Sequence, residues 1–195
     1  MLYQSEAEKF SYLKLVAGIL LLLVVGFKLI RDFNAIVDIS FDDEVQYMKY
    51  GMDMFDTIRT DWGPSYNLWY KFLSFFEKDA IQLYLLNFKV LVLLFPLSVF
   101  VFLYSYRFSF ILSFWIAFSL LISTTNILTY PRISHFTVCL LLWALTINRL
   151  FITSKPKQYI VVLFAVYVGA FARPELMLSV MILSCVFYLC LNKEI

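Results

Sequence analysis

Hydrophobic positions fall along this chain in long unbroken runs, parted by short polar connections and by one long polar segment. A helix that crosses a bilayer needs roughly 20 consecutive apolar residues, and six stretches approach that length: 12–30, 81–105, 108–125, 133–150, 158–173 and 175–191. The first carries the core LVAGILLLLVVGF. The second contains Pro96. The last two are short and divided only by Arg173-Pro174-Glu175. The pattern predicts an all-α, polytopic transmembrane bundle of about six spans, forming a single membrane domain over 1–195 with a first outer loop at about 31–80.

Within that loop the period changes. Val45, Met48, Met52, Phe55 and Ile58 recur at steps of three and four, with Lys49, Asp53, Asp56 and Arg59 between them. This spacing marks an amphipathic helix too polar to span. Ser40 or Asp42 suits its N-cap. Thr60–Pro64 reads as a turn, and Pro64 suits the first position of a second helix. Tyr66, Trp69, Tyr70, Phe72, Phe75 and Phe76 then crowd into residues 65–78, a ring density that fits headgroup depth. The loop is expected to form two juxtamembrane helices lying flat.

Composition sharpens the membrane reading. Of 195 residues, 62% are hydrophobic and 15% charged, with 21 Phe, 13 Tyr and a mean hydropathy of +0.81. A soluble globule of this length has no interior large enough for so much apolar surface. Cys139, Cys185 and Cys190 lie in apolar runs without a CxxC pair or a nearby histidine. They read as small buried hydrophobes, and neither a disulfide framework nor a zinc site is supported.

Charge is unevenly placed. Residues 31–79 hold ten acids and five bases, a net −5, and the remainder holds eleven bases and four acids, a net +7. No basic stripe suits nucleic acid. With the N-terminus inside, Lys9, Lys14, Arg107, Arg149, Lys155, Lys157 and Lys193 fall on the inner side and only Arg132 and Arg173 on the outer, which favours that orientation. Val25-Gly26-Phe27-Lys28 offers no small-x-small cleavage site, so the first span is expected to stay as an anchor. The acidic loop, the connection 124–132 and the turn 173–175 then share the outer face. The compact loops point to a bacterial inner membrane.

The acids Asp42, Asp43 and Glu44 admit two readings. Acids at a helix start cap orphan amides and favour the macrodipole. Three in a row exceed what a cap requires, and like-charge repulsion perturbs their pKa values, so a catalytic or ligand-binding role stands beside the capping one.

In arrangement the chain resembles the N-terminal half of a GT-C superfamily glycosyltransferase, in the style of protein O-mannosyltransferases and the aminoarabinose transferases of lipid A. An anchor helix is followed by Phe41-Asp42-Asp43-Glu44-Val45-Gln46-Tyr47, then by Gly63-Pro64-Ser65-Tyr66 before the second span. Later come Asn126-Ile127-Leu128-Thr129-Tyr130-Pro131-Arg132 and Phe171-Ala172-Arg173-Pro174-Glu175. The resemblance implies an inverting transfer of a sugar from a polyprenyl-phosphate carrier to an extracytoplasmic acceptor. Members of that superfamily are longer and have more spans, so a C-terminal half or partner chain is also implied.

Such a transfer needs a base to take the acceptor's proton and cations to receive the leaving phosphate. Asp43, with Asp42 close behind, is the expected base, and Glu44 tunes its neighbours. Arg132 and Arg173 suit phosphate oxygens. Arg132 could equally snorkel to headgroups, and Arg173 could pair with Glu175. His135 reads as a satisfied structural histidine or a phosphate contact, and Tyr66 as a belt aromatic or part of the acceptor path. The acid cluster could hold Mg²⁺ or Mn²⁺ through oxygen ligands; no pattern decides for or against a metal. Two other readings stay open: a scaffold or inactive fragment whose acidic loop binds a partner, and a transporter subunit, for which Lys89 within the second span and the Pro96 that follows it are the signs, without the internal repeat such proteins show.

Overall fold

The computed structural model describes residues 11–31, 42–54, 64–128 and 132–172, together with Leu178, Met181, Ile182 and Cys185. Among these the protein is all helical. In chain order the helices are α1 (Tyr12–Ile30), α2 (Asp42–Met52), α3 (Pro64–Leu73), α4 (Ala80–Ser105), α5 (Phe110–Leu121), α6 (Thr124–Leu128), α7 (Ile133–Phe151) and α8 (Lys155–Ala170).

Three of them, α1, α4 and α7, are long and apolar enough to cross a membrane. Their exposed faces carry large apolar side chains such as Leu13, Leu20, Val24 and Phe27 on α1, which water would penalise and lipid would not. Two further apolar helices are shorter, Phe110–Leu121 and Pro156–Ala170. The stretch expected as a third span over 108–125 is thus divided: α5 ends at Leu121, and α6 starts afresh at Thr124. The sixth expected stretch, 175–191, lies almost wholly outside the described residues.

Helix α4 is the hub, and α1, α3, α5 and α7 all pack on it. Its N-terminus is capped by the Asp79 side chain, which accepts from the Gln82 amide at 2.9 Å. Helix α1 runs antiparallel to α4. Ser11 N–H meets the Tyr104 hydroxyl at 3.0 Å at one end, and Ile30 packs with Phe88 and Val92 at the other. The contact face of α1 is Gly18, Leu22, Gly26 and Ile30, one residue per turn. A Cβ on Gly18 would overlap the Phe100 ring and one on Gly26 would overlap Leu93, so small residues set the close approach, as is usual between helices in lipid. Helix α7 runs parallel to α4, because Arg132 lies over Phe88, His135 meets Phe95, and Arg149 faces Tyr106. Helices α7 and α8 form a hairpin, and Ser65 Oγ at the start of α3 donates to the Val168 carbonyl near the end of α8 at 2.8 Å. One end of the bundle therefore gathers the end of α1, helices α2 and α3, the start of α4, the α6–α7 connection and the end of α8.

Pro96 sits inside α4. Its ring nitrogen has no hydrogen, so the carbonyl four residues earlier, on Val92, loses its helical donor. Asn126 Nδ2 on α6 donates to that carbonyl at 3.1 Å. A polar side chain from a neighbouring helix thus repairs the proline gap, which a low-dielectric surrounding makes necessary.

The α4–α5 turn is a Schellman motif. Arg107 N–H bonds the Tyr104 carbonyl at 3.0 Å and Phe108 N–H bonds the Leu103 carbonyl at 3.2 Å. The residue at the left-handed position is Arg107, with φ 66°. Glycine usually occupies that position; a side chain there costs about 1 kcal/mol.

Helix α2 differs from its expected form. The apolar spacing placed Val45, Met48 and Met52 inward, with the helix running on to Ile58. The described helix ends at Met52, and its most buried residues are Glu44, Tyr47, Met48 and Gly51. The inward face has rotated towards a carboxylate, because α3 presents hydroxyls to it. Gly51 allows that packing: a Cβ there would stand 2.6 Å from Tyr70 Cβ and 2.7 Å from the Asn67 carbonyl oxygen, a backbone atom that cannot step aside. Helix α3 begins at Pro64 as expected, but its rings divide. Tyr66 and Tyr70 are fully buried, while Phe72 is exposed, as are Phe75 and Phe76 in the turn that follows.

Candidate functional site

At the crowded end of the bundle lies a buried polar network centred on Glu44. One carboxylate oxygen accepts from the Tyr66 hydroxyl, from the Tyr70 hydroxyl at 2.6 Å and from Asn87 Nδ2 at 3.0 Å. The other accepts the Arg132 backbone N–H at 3.3 Å. Asn87 also stands 2.9 and 2.8 Å from the two tyrosine oxygens. Its amide cannot be reversed, because Trp69 Nε1 donates to its Oδ1 at 2.7 Å and so turns the NH₂ towards Glu44.

Each member arrives by helical spacing. Tyr66, Trp69, Tyr70 and Leu73 repeat at three and four residues and line one side of α3. Asn87 faces the same space from the first third of α4, and Arg132 stands just before α7. Tyr47, Met48, Leu83, Leu91, Ile133 and Phe136 seal the network from the apolar side. Tyr66 meets Tyr47, Tyr70 and Phe136 with ring centroids 5.2 Å away in each case.

Burial dominates the electrostatics. Loss of water raises the Glu44 pKa above the ordinary 4.5, and the hydroxyl donors, the Arg132 amide and the Arg132 charge pull it back only in part. The Tyr66 and Tyr70 phenols are pushed well above 10.0, chiefly by burial, with the nearby carboxylate adding to it. Both remain hydrogen-bond donors across the physiological range.

Arg132 is 1% exposed. Its guanidinium lies 3.9 Å from the Phe88 ring centroid and donates to the carbonyls of Asn126 and, at 3.0 Å, of Ile127. Those carbonyls belong to the last turn of α6, which has no helical donors of its own. In this arrangement the arginine caps a short helix and its backbone holds Glu44.

Of the residues singled out by sequence, Glu44, Tyr66 and Arg132 meet in one network. His135 lies in the first turn of α7 with its ring edge-on to Phe95 at 5.0 Å. Asp42 and Asp43 open α2, and their side chains fall outside the described residues, as do Arg173 and Glu175. Among the described residues no three His, Cys, Asp or Glu side chains gather as metal ligands; the Asp42 and Asp43 side chains are not among those residues. The sequence offered Trp69 and Tyr70 only as interfacial rings and Asn126 only as part of a motif, and it did not single out Asn87. Asn87 did carry a signal, as a polar side chain inside an apolar run. Cys139 is buried and unbridged.

No protein-family model matches the chain, and neither a curated protein nor a solved structure matches it.

Proposed function

We propose that the protein is a membrane glycosyltransferase of the GT-C kind, moving a sugar from a polyprenyl-phosphate carrier to an acceptor outside the cell membrane. The observation that supports this reading is the pinning of α2. Glu44 ties the acid-rich start of that helix to α3, α4 and Arg132 through four hydrogen-bonding groups. The backbone at the start of α2 is thereby held at the end of the bundle that Arg132 and the end of α8 share.

In the proposed reaction an acceptor oxygen bonds to the anomeric carbon while the carbon–oxygen bond to phosphate breaks, its electron pair leaving on the phosphate. Asp43, or Asp42 beside it, takes the acceptor's proton, and the sugar carbon inverts. Glu44 positions the helix rather than touching the sugar, since its oxygens are occupied. Arg173, with Glu175, is the outer cation available to the leaving phosphate, because the Arg132 guanidinium is spent on α6. Tyr66 supports the site through its hydrogen bond to Glu44, and His135 through packing on Phe95. A divalent ion such as Mg²⁺ or Mn²⁺ would sit with Asp42 and Asp43. The six-span topology, the flat setting of α2 and α3, the cytoplasmic N-terminus, the bacterial inner membrane and a C-terminal half or partner chain belong to the same proposal.

The test is sugar transfer from a polyprenyl-phosphate donor by membranes carrying wild-type protein, D42N or D43N. Loss of transfer by about 10²-fold or more in at least one variant, with expression retained, is the expected result. Full transfer by both removes the base from this loop. A scaffold role is the second reading, favoured by the same network: Glu44 and Arg132 are satisfied internally, as in a purely structural joint. It predicts no transfer by the wild type and a partner complex indifferent to D42N and D43N.

A further inference from the structure

The end of the bundle remote from Glu44 holds a second polar feature. Ser105, Arg107, Arg149 and Leu150 line an open cleft of about 320 Å³ between the α4–α5 turn and the end of α7. Both arginines are exposed, and no described carboxylate pairs with either. The Arg149 guanidinium is 5.9 Å from the Tyr106 ring centroid, which leans it across the cleft mouth. Ser105 is buried and spends its hydroxyl hydrogen on the Phe102 carbonyl at 2.7 Å, so the cleft offers positive charge from two forks and little else. Tyr106, Phe108 and Phe151 stand exposed around it, the amphipathic and apolar rings expected where a bilayer meets water.

Arg107 is the telling residue. It occupies the left-handed position of the Schellman turn, φ 66°, where glycine would relieve the backbone. A strained residue retained where a relaxed one is available points to a use for its side chain. Helix α4 has no basic residue in its last turn, so its dipole favours a cation at Arg107, but that attraction does not account for a second arginine, Arg149, lining the same cleft. We propose that this cleft binds the phosphate of an anionic phospholipid, with Arg107 and Arg149 holding its oxygens and the surrounding rings lying at glycerol depth. Basic pockets between spanning helices suit such headgroups, and arginine's planar fork matches phosphate oxygens. The site is independent of the transferase reading and stands at the opposite end of the molecule.

The experiment is native mass spectrometry of the full chain released from micelles containing equal phosphatidylglycerol and phosphatidylcholine. Wild type is expected to retain phosphatidylglycerol preferentially. R107G and R149Q are each expected to lower that retention about fivefold while leaving phosphatidylcholine unchanged. R107G relaxes the turn, so its melting temperature is expected to hold or rise, which separates lost binding from lost folding. Equal retention of the two lipids by wild type, or undiminished phosphatidylglycerol in both variants, overturns the proposal. Retention of inorganic phosphate by wild type, with phosphatidylglycerol held no better than phosphatidylcholine, would make the ligand a free phosphate and overturn the lipid assignment.

Discussion

Glu44 shows how a single residue can be misjudged by its neighbours in sequence. Beside Asp42 and Asp43 it reads as one of three acids at a helix start, there to cap the helix or to tune its neighbours. In the fold it is 3% exposed and accepts from two tyrosines, an asparagine and a backbone amide. Its pKa is raised by burial, so the folded state holds the proton more tightly than the unfolded state. The linked stability is then fully present below the unfolded value and declines as pH rises through the folded one. Thermal unfolding in detergent is expected to show wild type losing stability as pH climbs from below 4.5 towards neutrality, with that part of the slope missing in E44Q. An identical pH profile in E44Q would remove Glu44 as its source. Arg132 gives the same lesson from the cationic side: the sequence offers it to a phosphate, and the fold turns it onto carbonyls and a phenyl ring.

Between elements, the joint of α4 and α6 makes a quantitative case. Pro96 removes a donor and Asn126 supplies one. N126A would leave the Val92 carbonyl unsatisfied at a cost of about 1–3 kcal/mol. P96A restores the helical N–H, so the N126A penalty is expected to shrink by about 1 kcal/mol or more in the P96A background, as read from a double-mutant cycle of unfolding. A penalty of equal size in both backgrounds would mean that the two residues are not coupled. The helices themselves were readable. The first span was placed at 12–30 and observed as Tyr12–Ile30, the second at 81–105 and observed as Ala80–Ser105, the fourth at 133–150 and observed as Ile133–Phe151. Long apolar runs leave the backbone one way to satisfy its polar groups in lipid. The inward face of α2 was not readable. It was set by Tyr66, Tyr70 and Gly51, whose positions relative to Glu44 exist only after α2 and α3 pack.

For the whole molecule, the alternation of helices brings the first loop, the Arg132 connection and the end of α8 to one end, and Arg107 with Arg149 to the other. Under the proposed orientation the second end faces the cytoplasm. Single cysteines at Asp61 and at Lys157, each in a background without Cys139, Cys185 and Cys190, are expected to react with a membrane-impermeant maleimide only at position 61 in intact cells; labelling at 157 alone would invert the orientation. By itself the sequence determined the helical class, the membrane setting, the limits of the long helices and the concentration of acids in one loop, because composition and run length act locally and bilayer thickness does the rest. The tertiary structure alone decided which polar residues meet. Asn87 with Glu44 and Asn126 with the Val92 carbonyl are joined across helices, Arg107 and Arg149 come to line one cleft, and no spacing along the chain encodes a meeting that depends on how two helix faces turn towards each other.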